Sequence, residues 1–355
     1  MMSRSPAIVC VALAAAVMSG CASSSSPEAE VQTSRFADIE LPPGGLGLFV
    51  EASLASRRGE EELAVDLLRR AVAADDNLIV AYRMMGELLL ARGDATEAVE
   101  AFTVLVERDP DTARSYVLLG DSLSVLGRYS AALNRYLTAL QLEPDNLGAN
   151  LGAGTSLVAL DRADEATTYL STAVNLDPRS AAAWRQTAMA MLAVGQLGQA
   201  SQAIDRLLEL TENDNPRRPE DLLLAADVAG ARFDARVAED LLAQVRRLRP
   251  NDAEPVRRLV LLHLRLGERF LGDGQDAQAA AAYESAEEAI GELLLILPED
   301  AEAWSTLGSA RLRLWDIGGR IDDSLRQAAI EAWERSLELD PEQANVRRAV
   351  EQFGR

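Results

Sequence analysis

The feature that most constrains this chain is a spacing. Pro110, Pro144 and Pro178 fall 34 residues apart, as do Gly86, Gly120 and Gly154, and Ala98, Ala132 and Ala166. Large side chains keep the same step at Phe102, Tyr136 and Leu170. A period of this length is one supersecondary unit. It is too small to bury its own apolar face, so neighbours must stack to complete a core. A small Gly or Ala at a fixed place in each helix lets a neighbouring helix come close. The large residue four positions after the second-helix Ala fills the gap that remains. The Pro cannot continue the helix before it, so it ends one unit and opens the next. Composition agrees: 48% of residues are hydrophobic but only 5% are aromatic. The apolar content is therefore largely Ala, Leu and Val, which suits close helix packing better than sheets.

The pattern of a large residue, Leu-Gly, Ala, Phe or Tyr, Ala and Pro resembles the tetratricopeptide repeat. The resemblance implies an all-α chain. Residues 45–355 would form an α-solenoid, a right-handed superhelix of about eight helical hairpins with a C-terminal capping helix. The first unit, 45–78, is degenerate but keeps Ala64, Leu68 and Ala71. Units two to four run 79–112, 113–146 and 147–180. The fifth starts at 181, keeps Trp184 and Ala200, and leaves through a turn-rich insertion at Asn213-Asp214-Asn215-Pro216. The sixth, 219–252, has Ala226, Ala238 and Pro250. The seventh, about 253–300, is elongated, its helices spanning roughly 254–271 and 276–296. The eighth has Leu307-Gly308, Ala329 and Trp333, with nine residues inserted between its helices, about 312–325 around Trp315 to Gly319. A last helix, 342–353, carries Arg347, Arg348, Glu351 and Gln352 on the outside and caps the stack.

The N-terminus reads as an address. Arg4 precedes an apolar stretch from Ala7 to Met18. That is too short to span a bilayer, which takes about 20 apolar residues, but suits a signal peptide over residues 1–20. Met18-Ser19-Gly20-Cys21 resembles a bacterial lipobox, although that family prefers Leu where this chain has Met18. The resemblance implies lipidation of Cys21 and a tether over 21–44. It further implies, from Ala22 after the Cys, sorting to the periplasmic side of an outer membrane. An ordinary secretory peptide with an incidental Cys is the alternative. Cys10 would be removed with the signal, leaving Cys21 as the only Cys, with no internal disulfide partner. The tether is Ser-rich and acidic and ends in Leu41-Pro42-Pro43-Gly44-Gly45, a composition that does not form a core.

Charge removes one class of function. The formal net charge is −21, and all 35 basic residues are Arg. Nucleic acid would be repelled, because its phosphates require a basic footprint. Nothing in the sequence calls for a cofactor or a metal. No P-loop, GxSxG, HExxH or CxxC motif occurs, and the chain reads as a non-enzyme. The single His263 lies among Leu261, Leu262 and Leu264, at the frame position of Tyr82 and Trp184, and reads as a packing residue. Gly44-Gly45-Leu46-Gly47 follows no strand and reads as a hinge between tether and repeats. The Glu60-Glu61-Glu62 run suits a helix start.

In the repeat family the first helices line a concave groove that holds partner peptides or helices. The inward positions here are Val80, Arg83 and Glu87 in unit two and Arg114, Val117 and Asp121 in unit three. They continue with Leu151 and Thr155 in unit four, Arg185 and Met189 in unit five, and Leu223 and Asp227 in unit six. The three Arg in an acidic chain are the candidate partner contacts, since Arg pairs bidentately with carboxylates. The Lys/Asn carboxylate clamp of chaperone-binding members is absent. The expected function is a lipid-anchored scaffold that binds other proteins of the cell envelope. An accessory subunit of polysaccharide synthesis or export, binding a glycan or its synthase, is the alternative.

Overall fold

The computed structural model describes residues 44–212 and 218–354. The lipobox with Cys21, the tether up to Pro43 and the Asn213–Pro216 insertion lie outside the described residues. Among the described residues there are seventeen α-helices and no strand.

They form two units, divided between Pro178 and Arg179. The first unit holds four hairpins: α1 (Gly45–Arg57) with α2 (Glu61–Ala74), α3 (Ile79–Arg92) with α4 (Ala95–Arg108), α5 (Ala113–Val125) with α6 (Tyr129–Leu142), and α7 (Leu147–Ala159) with α8 (Ala163–Leu176). The second unit holds α9 (Ala181–Ala193) with α10 (Leu197–Leu210), α11 (Pro219–Ala231) with α12 (Ala235–Leu248), α13 (Glu254–Gly272) with α14 (Asp276–Ile296), and α15 (Ala301–Ile317) with α16 (Asp323–Leu339). A last helix, α17 (Ala344–Phe353), closes it.

The helix ends follow from local chemistry. Asn146, Ser180 and Asp300 accept the amide three residues on, at 3.0, 3.2 and 3.0 Å, satisfying a donor that the first helical turn cannot. Pro219 and Pro255 stand in the first turns of α11 and α13, where a missing N–H costs nothing. The turns inside hairpins need positive φ. Gly59, Gly93, Gly127, Gly195 and Gly274 supply it, whereas Asp161, Phe233 and Arg320 adopt it at a steric cost.

The repeat spacing becomes a packing rule. In hairpins two, three, four and seven, the first-helix Gly lies against the large second-helix residue sixteen positions later. A Cβ on Gly86 would stand 2.5 Å from the Phe102 ring, and one on Gly120 would stand 2.6 Å from Tyr136. Gly154 meets Leu170 and Gly267 meets Tyr283 in the same way. In the eighth hairpin the partner of Gly308 is Trp333, twenty-five positions on. The nine extra residues therefore do not form a long loop. Seven of them lengthen α15 and α16 to 17 residues each, against 13 and 14 in hairpins three and four, and the other two widen the turn between them. Phe102, Tyr136 and Tyr283 are at most 2% exposed, and each such burial is worth about 1.5–3 kcal/mol.

Hairpin seven is the largest, with 19 residues in α13 and 21 in α14. In the first unit, Gly45 and Gly47 are buried in the first turns of α1 rather than in a hinge. Glu60 stands at the N-cap position of α2 without a side-chain capping bond, and Glu61 and Glu62 lie in its first turn, at the positive end of the helix dipole.

Candidate functional site

The first helices, α1 to α15 in odd steps, carry the positions that sequence assigned to a groove. Those positions are most simply counted from the first-helix small residue: Gly86, Gly120, Gly154, Ala188, Ala226, Gly267 and Gly308.

In the first unit, Val80, Arg83, Val117, Leu151 and Thr155 are half-buried. Arg114 is 65% exposed and pairs with Glu87 across α3 and α5 at 3.2 Å. Asp121 is committed inside its own hairpin, where the Tyr136 hydroxyl donates to it at 2.7 Å. Burial pushes the Asp121 carboxyl up, partly opposed by that hydrogen bond. The same burial, with Asp121 close by, drives the Tyr136 phenol well above its ordinary range. The side chain of Asp121 is thus a part of the hairpin's own bonding.

In the second unit the sequence reading needs correction at two positions. Arg185 is not an open partner contact. Its guanidinium grips Asp221 with Nε on Oδ1 and Nη2 on Oδ2, the latter at 2.9 Å, and Asp221 is 1% exposed. Leu223 is not on the groove surface either. It belongs to a core cluster with Leu222, Leu242 and Val245, against which Leu259 packs from the added first turns of α13. Met189 is exposed. Asp227 is half-buried and accepts from Arg258 Nε at 2.8 Å. Burial raises its carboxyl and the Arg258 hydrogen bond lowers it.

In the first unit Glu87 pairs with Arg114, and in the second the charges form a ladder: Arg185 with Asp221, Asp227 with Arg258, and Glu268 with Arg313 at 3.2 Å. Each pair joins one first helix to the next. Arg83 is the exception among the three predicted arginines: its Nε is buried without a hydrogen-bond partner among the described residues.

The sequence reading missed a cleft in the second unit. Between α11 and α13 lies a cleft of about 410 Å³, walled by Ala226, Gly230, Leu242 and Leu262. Leu261, 51% exposed, stands at its mouth with Asp227, Arg258 and Arg265. Leu261 also borders a smaller cavity of about 230 Å³ towards α14 and α15. The signal was available: Leu261 stands six residues before Gly267, as Val80 stands six before Gly86. Counting forward from Pro250 across a lengthened helix hides it.

His263 is half-buried in α13, its Nε2 3.6 Å from Glu239 of α12. Burial holds its pKa below the usual 6.5, against the opposite pull of Glu239 and Glu288. Among the described residues no group of His, Cys, Asp and Glu is placed to hold a metal. No helix among them is long and apolar enough to cross a membrane.

Small-to-large pairing at a fixed offset in stacked antiparallel hairpins is the geometry that decides the kind of repeat, and two family models recognise it. Residues 83–146 and 126–186 each match a tetratricopeptide repeat model. Residues 83–186 carry tetratricopeptide repeats. Among solved structures it is similar to PilW, a widely conserved type IV pilus biogenesis factor, with 22% identity and a TM-score of 0.52, covering 59% of this chain and 96% of PilW. It is also similar to pilF of Pseudomonas aeruginosa, with 21% identity, a TM-score of 0.50, and coverage of 59% and 94%. The APC/C hetero-tetramer Cut9–Hcn1 aligns over 92% of this chain and 58% of the matched chain, at 17% identity and a TM-score of 0.51. Identities this low carry the fold and no more. No curated protein matches the chain. The tetratricopeptide fold is typically a non-enzymatic scaffold for protein interaction, and nothing among the described residues indicates catalysis.

Proposed function

We propose that this protein is a scaffold held in a bacterial envelope membrane by lipid on Cys21, and that it binds segments of other envelope proteins along its first-helix faces. The observation that carries the binding half is the exposure of Met189 and Leu261 beside ion pairs that are already closed. Apolar side chains left in the open next to satisfied charges offer a partner buried area without a large desolvation cost. The anchor half rests on Met18-Ser19-Gly20-Cys21. A lipidated Cys of this kind carries more than one acyl chain, enough for stable attachment without a basic patch. Sorting to the periplasmic side of the outer membrane, suggested by Ala22, is part of the same proposal.

Two measurements test it. A photocrosslinking residue at Leu261 or Met189 should capture partner protein in cells, whereas one at the exposed Arg135 of α6 should not. Equal capture at all three positions would show that the first-helix faces are not the binding surface. For the anchor, Cys21→Ala should move the protein out of the salt-washed membrane fraction. Retention there would end the lipid reading.

A further inference from the structure

In hairpins two to seven the residue seven places after the first-helix small residue turns the chain with a left-handed backbone. Gly93, Gly127, Gly195 and Gly274 do so freely, and Asp161 belongs to a residue type that tolerates it. A Cβ on any of these four glycines would meet nothing within 4 Å, so they are there for the backbone alone. Hairpin six has Phe233 at this place, with a φ of 62°. A bulky residue gains nothing from that conformation. It bears a strain that the other turns avoid, and outliers of this kind gather at functional sites.

The contacts of the ring within the chain do not account for it. Phe233 is 38% exposed, and the Arg269 guanidinium lies over its ring, 4.2 Å from the centroid. A cation–π contact at so open a site is weaker than the cost of holding a bulky residue left-handed. Val237, four residues on in the first turn and a half of α12, is 53% exposed. The charges beside this apolar pair are unevenly matched. Arg232 pairs with Asp234 at 3.4 Å, and Arg269 with Asp273 at 4.0 Å. Arg236, exposed in the first turn of α12, makes no hydrogen bond or ion pair among the described residues. In a chain of net charge −21, an arginine left open beside an exposed phenylalanine and an exposed valine is a place for a carboxylate from outside.

We infer that the turn edge of hairpin six is a second docking surface, which takes an acidic segment of a partner protein. An apolar side chain of that segment packs on the exposed part of the Phe233 ring and on Val237, and a neighbouring carboxylate pairs with Arg236. Aromatic side chains and arginine are the residues that protein interfaces favour. The strain at Phe233 is the cost of presenting the ring at the surface. This surface is formed by a turn and the start of a second helix, so it does not depend on the binding proposed for the first-helix faces.

The test uses the full chain and a random peptide library, depleted first on Phe233→Asn and then selected on wild type. Asparagine keeps the left-handed turn and removes the ring. Should Phe233→Asn fold poorly by circular dichroism, Val237→Ser, at an exposed helical position, takes its place. The surviving peptides should be rich in Asp and Glu. They should bind Arg236→Gln about tenfold more weakly than wild type, a change of about 1.4 kcal/mol. Arg135→Gln, the same substitution at an exposed site of the first unit, should leave their affinity unchanged. No peptide surviving depletion, or survivors that bind Arg236→Gln as they bind wild type, would overturn the inference. So would a wild-type dimer that Phe233→Asn dissolves, which would give the surface to a second copy of this chain. Binding of phosphatidylglycerol vesicles, lost in the same variant, would overturn it in favour of a membrane.

Discussion

Arg185→Met makes the sharpest test of the ion-pair ladder. Asp221 occupies a frame position that holds Ala81, Ser115, Ala149 and Ala183 in hairpins two to five. Its carboxylate is therefore set where the fold has room only for a small side chain, and it is 1% exposed. Arg185, 18% exposed, supplies both hydrogen bonds that compensate it. The guanidinium is raised above its normal pKa, chiefly by the hydrogen bond to Asp221, so it stays charged at any ordinary pH. Removing Arg185 leaves a carboxylate that water cannot reach, a loss of about 3–5 kcal/mol. For a body of this size that corresponds to a fall of about 6–20 °C in melting temperature. The reverse change, Asp221→Ala, restores the small residue of the frame and leaves an arginine that can turn its head to water. It should cost about 1–2 kcal/mol. The double variant should return to within about 1 kcal/mol of wild type, since apolar replacement of a buried pair is often neutral. Urea unfolding followed by circular dichroism gives all three values, and a constant slope with urea checks that the unfolding unit has not changed. Arg185→Met melting like wild type would refute the reasoning, and so would a double variant as unstable as the single Arg variant. The first result would return Arg185 to the pool of partner contacts.

Glycine substitutions should split by environment. Gly308→Ala places a methyl 2.5 Å from the Trp333 ring and 2.8 Å from the Ala329 carbonyl and should cost about 1–3 kcal/mol, whereas Gly291→Ala in the same unit meets nothing and should gain about 0.5–1 kcal/mol. Thermal unfolding of both variants reads the difference. His263 has a folded-state pKa below its unfolded value, so the unfolded chain binds more protons in that window and stability falls as pH drops through about 6.5. His263→Gln should narrow the difference in melting temperature between pH 7.5 and pH 5.5, and an unchanged difference would show that Glu239 and Glu288 compensate the burial. Phe353→Ala should loosen α17, whose ring lies 6.1 Å from that of Trp333 and whose carbonyl accepts from Arg326 at 2.7 Å, and tryptophan emission should shift to the red.

The sequence by itself determined the repeat. A small residue every 34 positions and a large one sixteen later can be satisfied only by antiparallel helices meeting at that point, and Gly86 with Phe102 or Gly120 with Tyr136 meet there. The same arithmetic places the long helices of hairpin seven, because their apolar period runs on past the usual length. Sequence could not say which charges would be free. Arg83, Arg114 and Arg185 share a face by periodicity, but whether a guanidinium is open depends on what the next helix presents. That neighbour is Glu87 for Arg114 and the buried Asp221 for Arg185, 36 residues away. Nor could periodicity distinguish a surface Leu223 from a buried one, because Leu259 reaches it only through the extra turns of α13. The cleft of about 410 Å³ beside α11 and α13 is likewise a tertiary fact, because its lining comes from five helices, α9 to α13, that only packing brings together.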